Sequence, residues 1–316
     1  MKSDLFLGID TSNYTTSVAV VNGEGEILTS QKRLLTVKEG ACGLRQSDAL
    51  FLHTVNLPEL LASVKEHLPY APRAIGVSST PRKAEGSYMP CFLAGVAAAN
   101  AAALTSGAPL YSFSHQCGHL MAAILSSGRR EALERTFAAF HVSGGTTELL
   151  KVDFCGDGFH TTLVGGTRDL NAGQVIDRIG VMLGLPFPAG PMLERLALQN
   201  EKKLPPRKLS IDGTYTNLSG LENMAKRLYL ESGDKALTAA FTLAFIAETL
   251  DRLTEGYLSI YGGMPIIYAG GVMSNSIIKE RLLSKYDAGF ATPQLSSDNA
   301  VGIATLAKHR FYQSED

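Results

Sequence analysis

The feature that most constrains this chain is a phrase that occurs twice. Residues 5–10 form an apolar run of strand length and Thr11-Ser-Asn-Tyr14 is a turn. Residues 15–21 alternate as a second strand, and Asn22-Gly-Glu-Gly25 turns into a third at residues 26–31. The same order returns about 130 residues later. There, residues 137–142 read as strand, Ser143-Gly-Gly-Thr-Thr147 as turn, residues 148–154 as strand, Gly156-Asp-Gly158 as turn and residues 159–164 as strand. Long helical patterns follow each meander, at residues 48–67 and 87–106 in the first half and at 171–183 and 235–261 in the second. The pattern predicts an ancient duplication: two α/β lobes with a cleft between them. The first lobe spans residues 1–135, with a C-terminal helix at residues 298–312 packing back on it, and the second spans residues 136–296.

A length of 316 residues gives room for two sizeable cores, and 45% hydrophobic with 19% charged residues is the balance of a soluble globular protein. No basic-plus-apolar leader precedes the first strand, and the most apolar stretch, residues 91–104, contains Asn100 and is too short to span a bilayer. That stretch reads as a buried, tightly packed helix, and the chain as cytoplasmic with no membrane partner. Cysteines at 42, 91, 117 and 155 show no close pairing, which argues against a disulfide framework and against a cysteine zinc cluster. A net charge of −1 gives no global pull toward nucleic acid, so RNA binding would need a local patch. Lys202, Lys203, Arg207 and Lys208 around Pro205-Pro206 are the candidate; they also read as a solvated loop.

Three phrases point to chemistry. His115-Gln-Cys-Gly-His119 puts two imidazoles on one helix face, where they can hold one metal ion, although the same spacing also occurs on ordinary helix surfaces. The zinc-protease pattern needs a Glu after the first His, and Gln116 cannot act as that base. Cys117 points away from the histidine face and reads as a small buried side chain, so further ligands must come from elsewhere in the chain. Ser143-Gly-Gly-Thr-Thr147 exposes amides and hydroxyls that suit phosphate oxygens, and its counterpart in the first meander favours that reading over a plain hairpin. Finally, a buried strand runs into Gly270-Gly271 and then a helix, with Asn275 near the helix start, a geometry that lets a ligand lie close to backbone.

Taken in order, these phrases resemble the threonylcarbamoyl-adenosine tRNA modification enzymes, the TsaD/Gcp family of the actin-like ATPase superfamily. Gly8-Ile-Asp-Thr-Ser12 is similar to the family's opening strand, His115 and His119 to its metal pair, and Val142-Ser-Gly-Gly145 to its phosphate turn. Asn171-Ala-Gly-Gln-Val-Ile-Asp177 and Leu183-Gly-Leu-Pro-Phe-Pro-Ala-Gly-Pro191 are similar to its nucleoside segment. Ser219-Gly-Leu221, Ala269-Gly-Gly-Val-Met-Ser-Asn275 and Ser297-Asp-Asn299 continue the series.

The resemblance implies a two-lobed actin-like ATPase (ASKHA, RNase H-like) fold and acyl transfer from a carbamoyl-adenylate to the amine of a tRNA adenosine. It implies one divalent metal, iron or zinc, held by His115, His119 and Asp298, and an adenine nucleotide or carbamoyl-adenylate bound by Asp177, Gly190 and Asn275. Ser143, Gly144, Gly145 and Thr146 would stabilise charge developing during transfer. It implies tRNA and TsaB-like and TsaE-like proteins as partners. Read without the resemblance, Asp298 and Asn275 are also helix caps and Asp177 a helix-face charge.

The departures are equally specific. Where family members carry Cys-Asp-Glu-Thr this chain has Asn13-Tyr-Thr-Thr16; the His after Ser-Gly-Gly is Thr146, the Glu after Ala-Gly is Gln174, and Pro-Gly-Gly is Pro188-Ala-Gly190. Tyr14, Thr15, Thr146 and Gln174 supply no group that titrates near neutral pH in its ordinary state. Two other readings therefore stand beside the tRNA enzyme: a small-molecule carbamoyltransferase of the same fold, and a nucleotide-binding regulatory subunit without catalysis.

Overall fold

A computed structural model describes residues 3–12, 14–36, 44–83, 85–156, 158–296 and 300–315; Asn13, Cys42, Asp157 and Asp298 of the sequence reading lie outside them. The chain divides into two compact units. The first comprises Met1–Leu125, Phe154–Phe159 and Ser297–Asp316, and the second Ser126–Asp153 and His160–Ser296.

In the first unit, strands β1 (Leu5–Asp10), β2 (Thr15–Asn22) and β3 (Ile27–Leu34) form the antiparallel meander. Helix α1 (Gln46–Ser63) leads to β4 (Ala74–Thr80), α2 (Phe92–Ser106) to β5 (Leu110–Ser114), and α3 (His115–Ser127) starts directly after β5. The sheet order is β3-β2-β1-β4-β5, with β4 parallel to both β1 and β5. Every residue of β1 and β2 is buried because helices cover both sheet faces, whereas β3, with Lys32 and Arg33, forms a charged edge.

The second unit opens with β6 (Phe137–Val142), β7 (Thr147–Phe154) and β8 (Phe159–Thr167), followed by α4 (Ala172–Met182) and α5 (Gly190–Ala197). The short strands β9 (Ile211–Asp212) and β10 (Tyr215–Thr216) precede α6 (Ser219–Ser232) and the long α7 (Lys235–Tyr261). Then come β11 (Ile266–Ala269), α8 (Ser276–Leu283), β12 (Ala288–Phe290) and α9 (Pro293–Ser296). The sheet order is β12-β11-β6-β7-β8-β10-β9, with β6 antiparallel to β7 and parallel to β11. Its run β8-β7-β6-β11-β12 repeats β3-β2-β1-β4-β5 of the first sheet, so the duplicated phrase in the sequence is a duplicated sheet topology.

The last helix, α10 (Val301–Glu315), belongs to the first unit, where it packs on β1 and β4. Glycines make that contact close: a Cβ at Gly8 would fall 2.4 Å from the Ala300 carbonyl oxygen, and one at Gly76 would fall 2.6 Å from that of Ile303. The passage into the second unit comes at Ser126, ten residues before the boundary read from the sequence. Local bonding accounts for it: the Ser126 hydroxyl accepts from the Thr292 amide at 3.2 Å, and Arg129 pairs with Asp287.

One expectation fails. Helix α2 is not buried throughout: Phe92, Ala94, Gly95 and Ala99 face the core, while Leu93 and Leu104 are exposed. Among the described residues, no helix is long and apolar enough to cross a membrane.

Candidate functional site

The histidine pair begins a helix. His115 is the first residue of α3, held there by β5, and His119 lies one turn on, buried, with ring centroids 4.3 Å apart in an edge-on arrangement. The His115 ring is fixed at both nitrogens. Its Nδ1 lies 2.7 Å from Oδ2 of Asp10, and its Nε2 lies 3.3 Å from the Ser12 hydroxyl. Asp10, at the end of β1, is wholly buried, and its Oδ1 accepts from the Ser12 amide at 2.9 Å and the Ser78 hydroxyl at 2.6 Å.

The described residues thus supply two imidazoles on one helix face, one braced from behind by a buried carboxylate, a pairing of the kind found behind metal-ligating histidines. Among the described residues no three His, Cys, Asp or Glu side chains form a group able to hold a metal ion, and Asp298 lies outside those residues. Helix α10 nonetheless meets α3 between the histidines. A Cβ at Gly302 would fall 1.9 Å from the Gly118 carbonyl oxygen, so only glycine lets the two helices cross at that point. Cys117 is buried, with its Sγ 3.2 Å from the Ser114 hydroxyl, in keeping with a packing role.

The remaining candidates lie in the second unit. Ser143, Gly144, Gly145 and Thr146 form the turn between β6 and β7, closed by the Ser143 amide donating to the Thr146 carbonyl at 2.7 Å. Gly144 and Gly145 are exposed, and a side chain at either would meet open space. The turn is packed onto the first residues of α4. The Gly173 amide donates to the Ser143 carbonyl at 3.2 Å, and a Cβ at Gly173 would fall 2.6 Å from the Gly144 nitrogen. The positive end of the α4 dipole thus sits beside the exposed turn, an arrangement that suits an anion. Gly270, at φ +100°, reaches the same corner: a Cβ there would fall 2.3 Å from the Val142 carbonyl oxygen.

Asp177, on α4, accepts from the Ala189 amide at 2.8 Å through Oδ1, and burial pushes its carboxyl above the ordinary carboxylate range despite that bond. Ala189 immediately precedes Gly190, the first residue of α5, and Glu194 of α5 accepts from both the amide and the hydroxyl of Ser276 at the start of α8. Asn275 caps α8, its side chain accepting from the Ile278 amide at 3.1 Å. Asp177 in α4, Gly190 at the start of α5 and Asn275 at the start of α8 are thereby joined by one chain of contacts. The cap reading of Asn275 is correct and leaves its amide NH2 group to other partners.

At the departures, Gln174 accepts from the Asn171 amide at 3.1 Å and so works as a helix cap, a task an amide performs as well as a carboxylate. Ala189 packs its methyl against Gly180, where a second Cβ would fall 2.1 Å away. Thr15 is buried at the start of β2, its amide donating to the Ser12 carbonyl, and Tyr14 is half-buried.

Of the basic cluster, Lys202 pairs with Asp234 and Arg207 with Glu248, so two of its four charges are neutralised locally. Asp10, Glu194 and Gly302 carry only faint local signals in the sequence. The available signals were an acid ending a buried strand and a glycine one residue into a helix.

The model of the family TsaD, tRNA N6-adenosine threonylcarbamoyltransferase, matches residues 28–305. A tRNA N6-adenosine threonylcarbamoyltransferase of Streptococcus suis (strain 05ZYH33) is 31% identical, across 100% of this chain and 95% of that protein. Among solved structures, the (R)-2-hydroxyglutaryl-CoA dehydratase component A of Acidaminococcus fermentans superposes with a TM-score of 0.56 at 17% identity, over 98% of this chain and 100% of the other. A full-length HypF, in a phosphate- and nucleotide-bound form, gives 0.61 at 11% identity, over 99% of this chain and 56% of that one. These two likenesses show the fold, which is that of the actin-like ATPases. With a family match over most of its length and a relative that spans all of it, the chain belongs to the TsaD family of tRNA N6-adenosine threonylcarbamoyltransferases.

Proposed function

We propose that this protein is a cytoplasmic transferase that moves a threonylcarbamoyl group from an adenylate to the exocyclic amine of an adenosine in tRNA. The observation that carries this reading is the likeness to threonylcarbamoyltransferases along the whole chain. The amine nitrogen attacks the carbamoyl carbon, the bond from that carbon to the phosphate oxygen breaks, and the adenylate leaves. The exposed turn Ser143–Thr146 beside the α4 N-terminus receives the phosphate, and its amides stabilise charge as the bond breaks. Asp177 accepts from the ribose hydroxyls, while Gly190 and Asn275 line the nucleoside. With tyrosine and threonine at positions 14 and 15, the amine proton leaves to a group other than a carboxylate there.

His115 and His119 hold a divalent metal, with Asp298 as the third ligand, and imidazole ligands suit zinc or iron. What supports Asp298 is the α3–α10 crossing at Gly118 and Gly302, which brings Ala300, two residues after it in sequence, into the histidine-bearing unit. When bound, the metal supplies Lewis-acid polarisation of a phosphate or carbonyl oxygen. TsaB-like and TsaE-like partners complete the reading. Phe51 and Val55 on α1 and Leu93 and Leu104 on α2 expose apolar surface on two helices that pack together, which supports docking of such a partner.

Calorimetric titration with an adenine nucleotide and a divalent metal tests the ligand. Nucleotide binding that Asp177→Ala weakens, with metal uptake that His115→Ala lowers, is the expected result. No binding with any divalent metal would remove both the transferase reading and the regulatory-subunit reading.

A further inference from the structure

We infer that Asp10 is the positioning residue of the metal pair: its carboxylate fixes His115 as the Nδ1–H tautomer and so reserves Nε2 for the metal. The inference rests on the metal reading proposed above. Both carboxylate oxygens are committed. Oδ1 takes hydrogen bonds from the Ser12 amide and the Ser78 hydroxyl, and Oδ2 lies 2.7 Å from His115 Nδ1. Oδ1 already accepts from two donors, and Oδ2, facing the ring, is the acceptor of this pair, so the ring nitrogen that faces it carries the proton. In the neutral ring that ligation requires, Nε2 is then the lone-pair side, and it faces the Ser12 hydroxyl 3.3 Å away.

Asp10 and His115 lie 105 residues apart in sequence, and β1 and the start of α3 bring them together. The link has a consequence for ligation. An asparagine at position 10 satisfies the Ser12 and Ser78 donors only with its carbonyl oxygen, which turns its NH2 group toward His115. The imidazole then accepts at Nδ1, its proton moves to Nε2, and the nitrogen that would ligate is blocked.

The test measures tautomer and metal separately. Long-range nitrogen–proton correlation spectra of histidine-labelled protein without metal should show His115 as Nδ1–H in the wild type and as Nε2–H in Asp10→Asn. Zinc affinity, read by competition with a chromophoric chelator, should fall by about 10–100-fold in Asp10→Asn, the usual effect of losing such a partner. Ser78→Ala, which leaves the bond to His115 intact, should keep wild-type affinity. A wild-type His115 in the Nε2–H form overturns the inference, and needs no variant to fold. So does a folded Asp10→Asn that binds zinc as tightly as wild type while His115→Ala loses it. A Ser78→Ala loss as large as that of Asp10→Asn would make the carboxylate a mere tie between β1 and β4, and also overturns it. Equal zinc binding by wild type, His115→Ala and His119→Ala removes the metal reading itself.

Discussion

Replacing Gly302 by alanine probes the crossing of α10 with the histidine-bearing helix α3. The added methyl would lie 1.9 Å from the Gly118 carbonyl oxygen, 2.7 Å from its carbon and 3.0 Å from the Ala122 nitrogen, all backbone atoms of α3. Since real Cβ contacts stay above 3.0 Å, α10 must withdraw from α3 by about 1.1 Å, and no side chain can rotate to absorb the difference. Overpacking of this kind costs about 1–3 kcal/mol, while alanine's better helix propensity returns at most about 1 kcal/mol. A net loss of about 1–2 kcal/mol should appear as a lower midpoint in urea with an unchanged slope. Zinc affinity should fall as well, because α10 withdraws from the helix that carries the histidines. Gly263→Ala, where a Cβ meets nothing within 4 Å, is the matched control and should change stability by less than about 0.5 kcal/mol. A Gly302→Ala protein as stable as the control, with unaltered zinc binding, would refute the packing argument and the support it lends to Asp298.

Three further outcomes follow from the same geometry. Asp177→Ala should weaken adenine-nucleotide binding by about 1–3 kcal/mol in calorimetry, and affinity equal to wild type would show that the nucleoside is bound elsewhere. Restoring acids with Tyr14→Asp and Thr15→Glu should leave nucleotide affinity within about tenfold, because groups at these positions act on the transition state more than on the bound nucleotide. A larger loss would put these positions in ground-state binding. Asp169 is one acid-sensitive group: burial raises its pKa, but bonds from Ser219, Leu218 and Leu170 outweigh that and bring it down to about 2. A folded value below the unfolded value of about 3.9 gives stability that is full above pH ~4 and lost as pH falls toward 2. Asp169→Asn should therefore flatten the pH dependence of unfolding in that window, and an unchanged slope would contradict the hydrogen-bond account.

The parts of the fold legible in the sequence were those with a local signature. Alternating strands and glycine turns mark both meanders, and α7 was readable to the residue at 235–261 because a long apolar pattern opens after Asp234, whose side chain accepts from the Leu237 amide. The i, i+4 histidines were readable for the same reason. What escaped was long-range. Nothing around residue 10 says that its carboxylate meets a histidine beyond residue 110, and nothing around Gly302 says that Gly118 lies against it.

The tip Phe154–Phe159 was readable as a hairpin but not as part of the first unit, where Phe154 meets His309 edge-on and the Cys155 amide bonds to the Gly158 carbonyl. In α2, alanine-rich composition signals helix and apolarity together but not direction, which is why Leu104 reads as interior although it is 86% exposed.

The most direct test of the central claim is transfer itself. Purified protein, loaded with zinc or iron(II) and supplied with threonylcarbamoyl-adenylate and unmodified tRNA, is assayed by digesting the tRNA and weighing its nucleosides by mass spectrometry. Threonylcarbamoyl-adenosine should appear in the digest, be lost in His115→Ala and be reduced in Asp177→Ala. Unmodified adenosine throughout, from protein that binds both metal and adenine nucleotide and is given its TsaB-like and TsaE-like partners, would contradict that claim and leave the chain a nucleotide-binding member of the family with another acceptor or none.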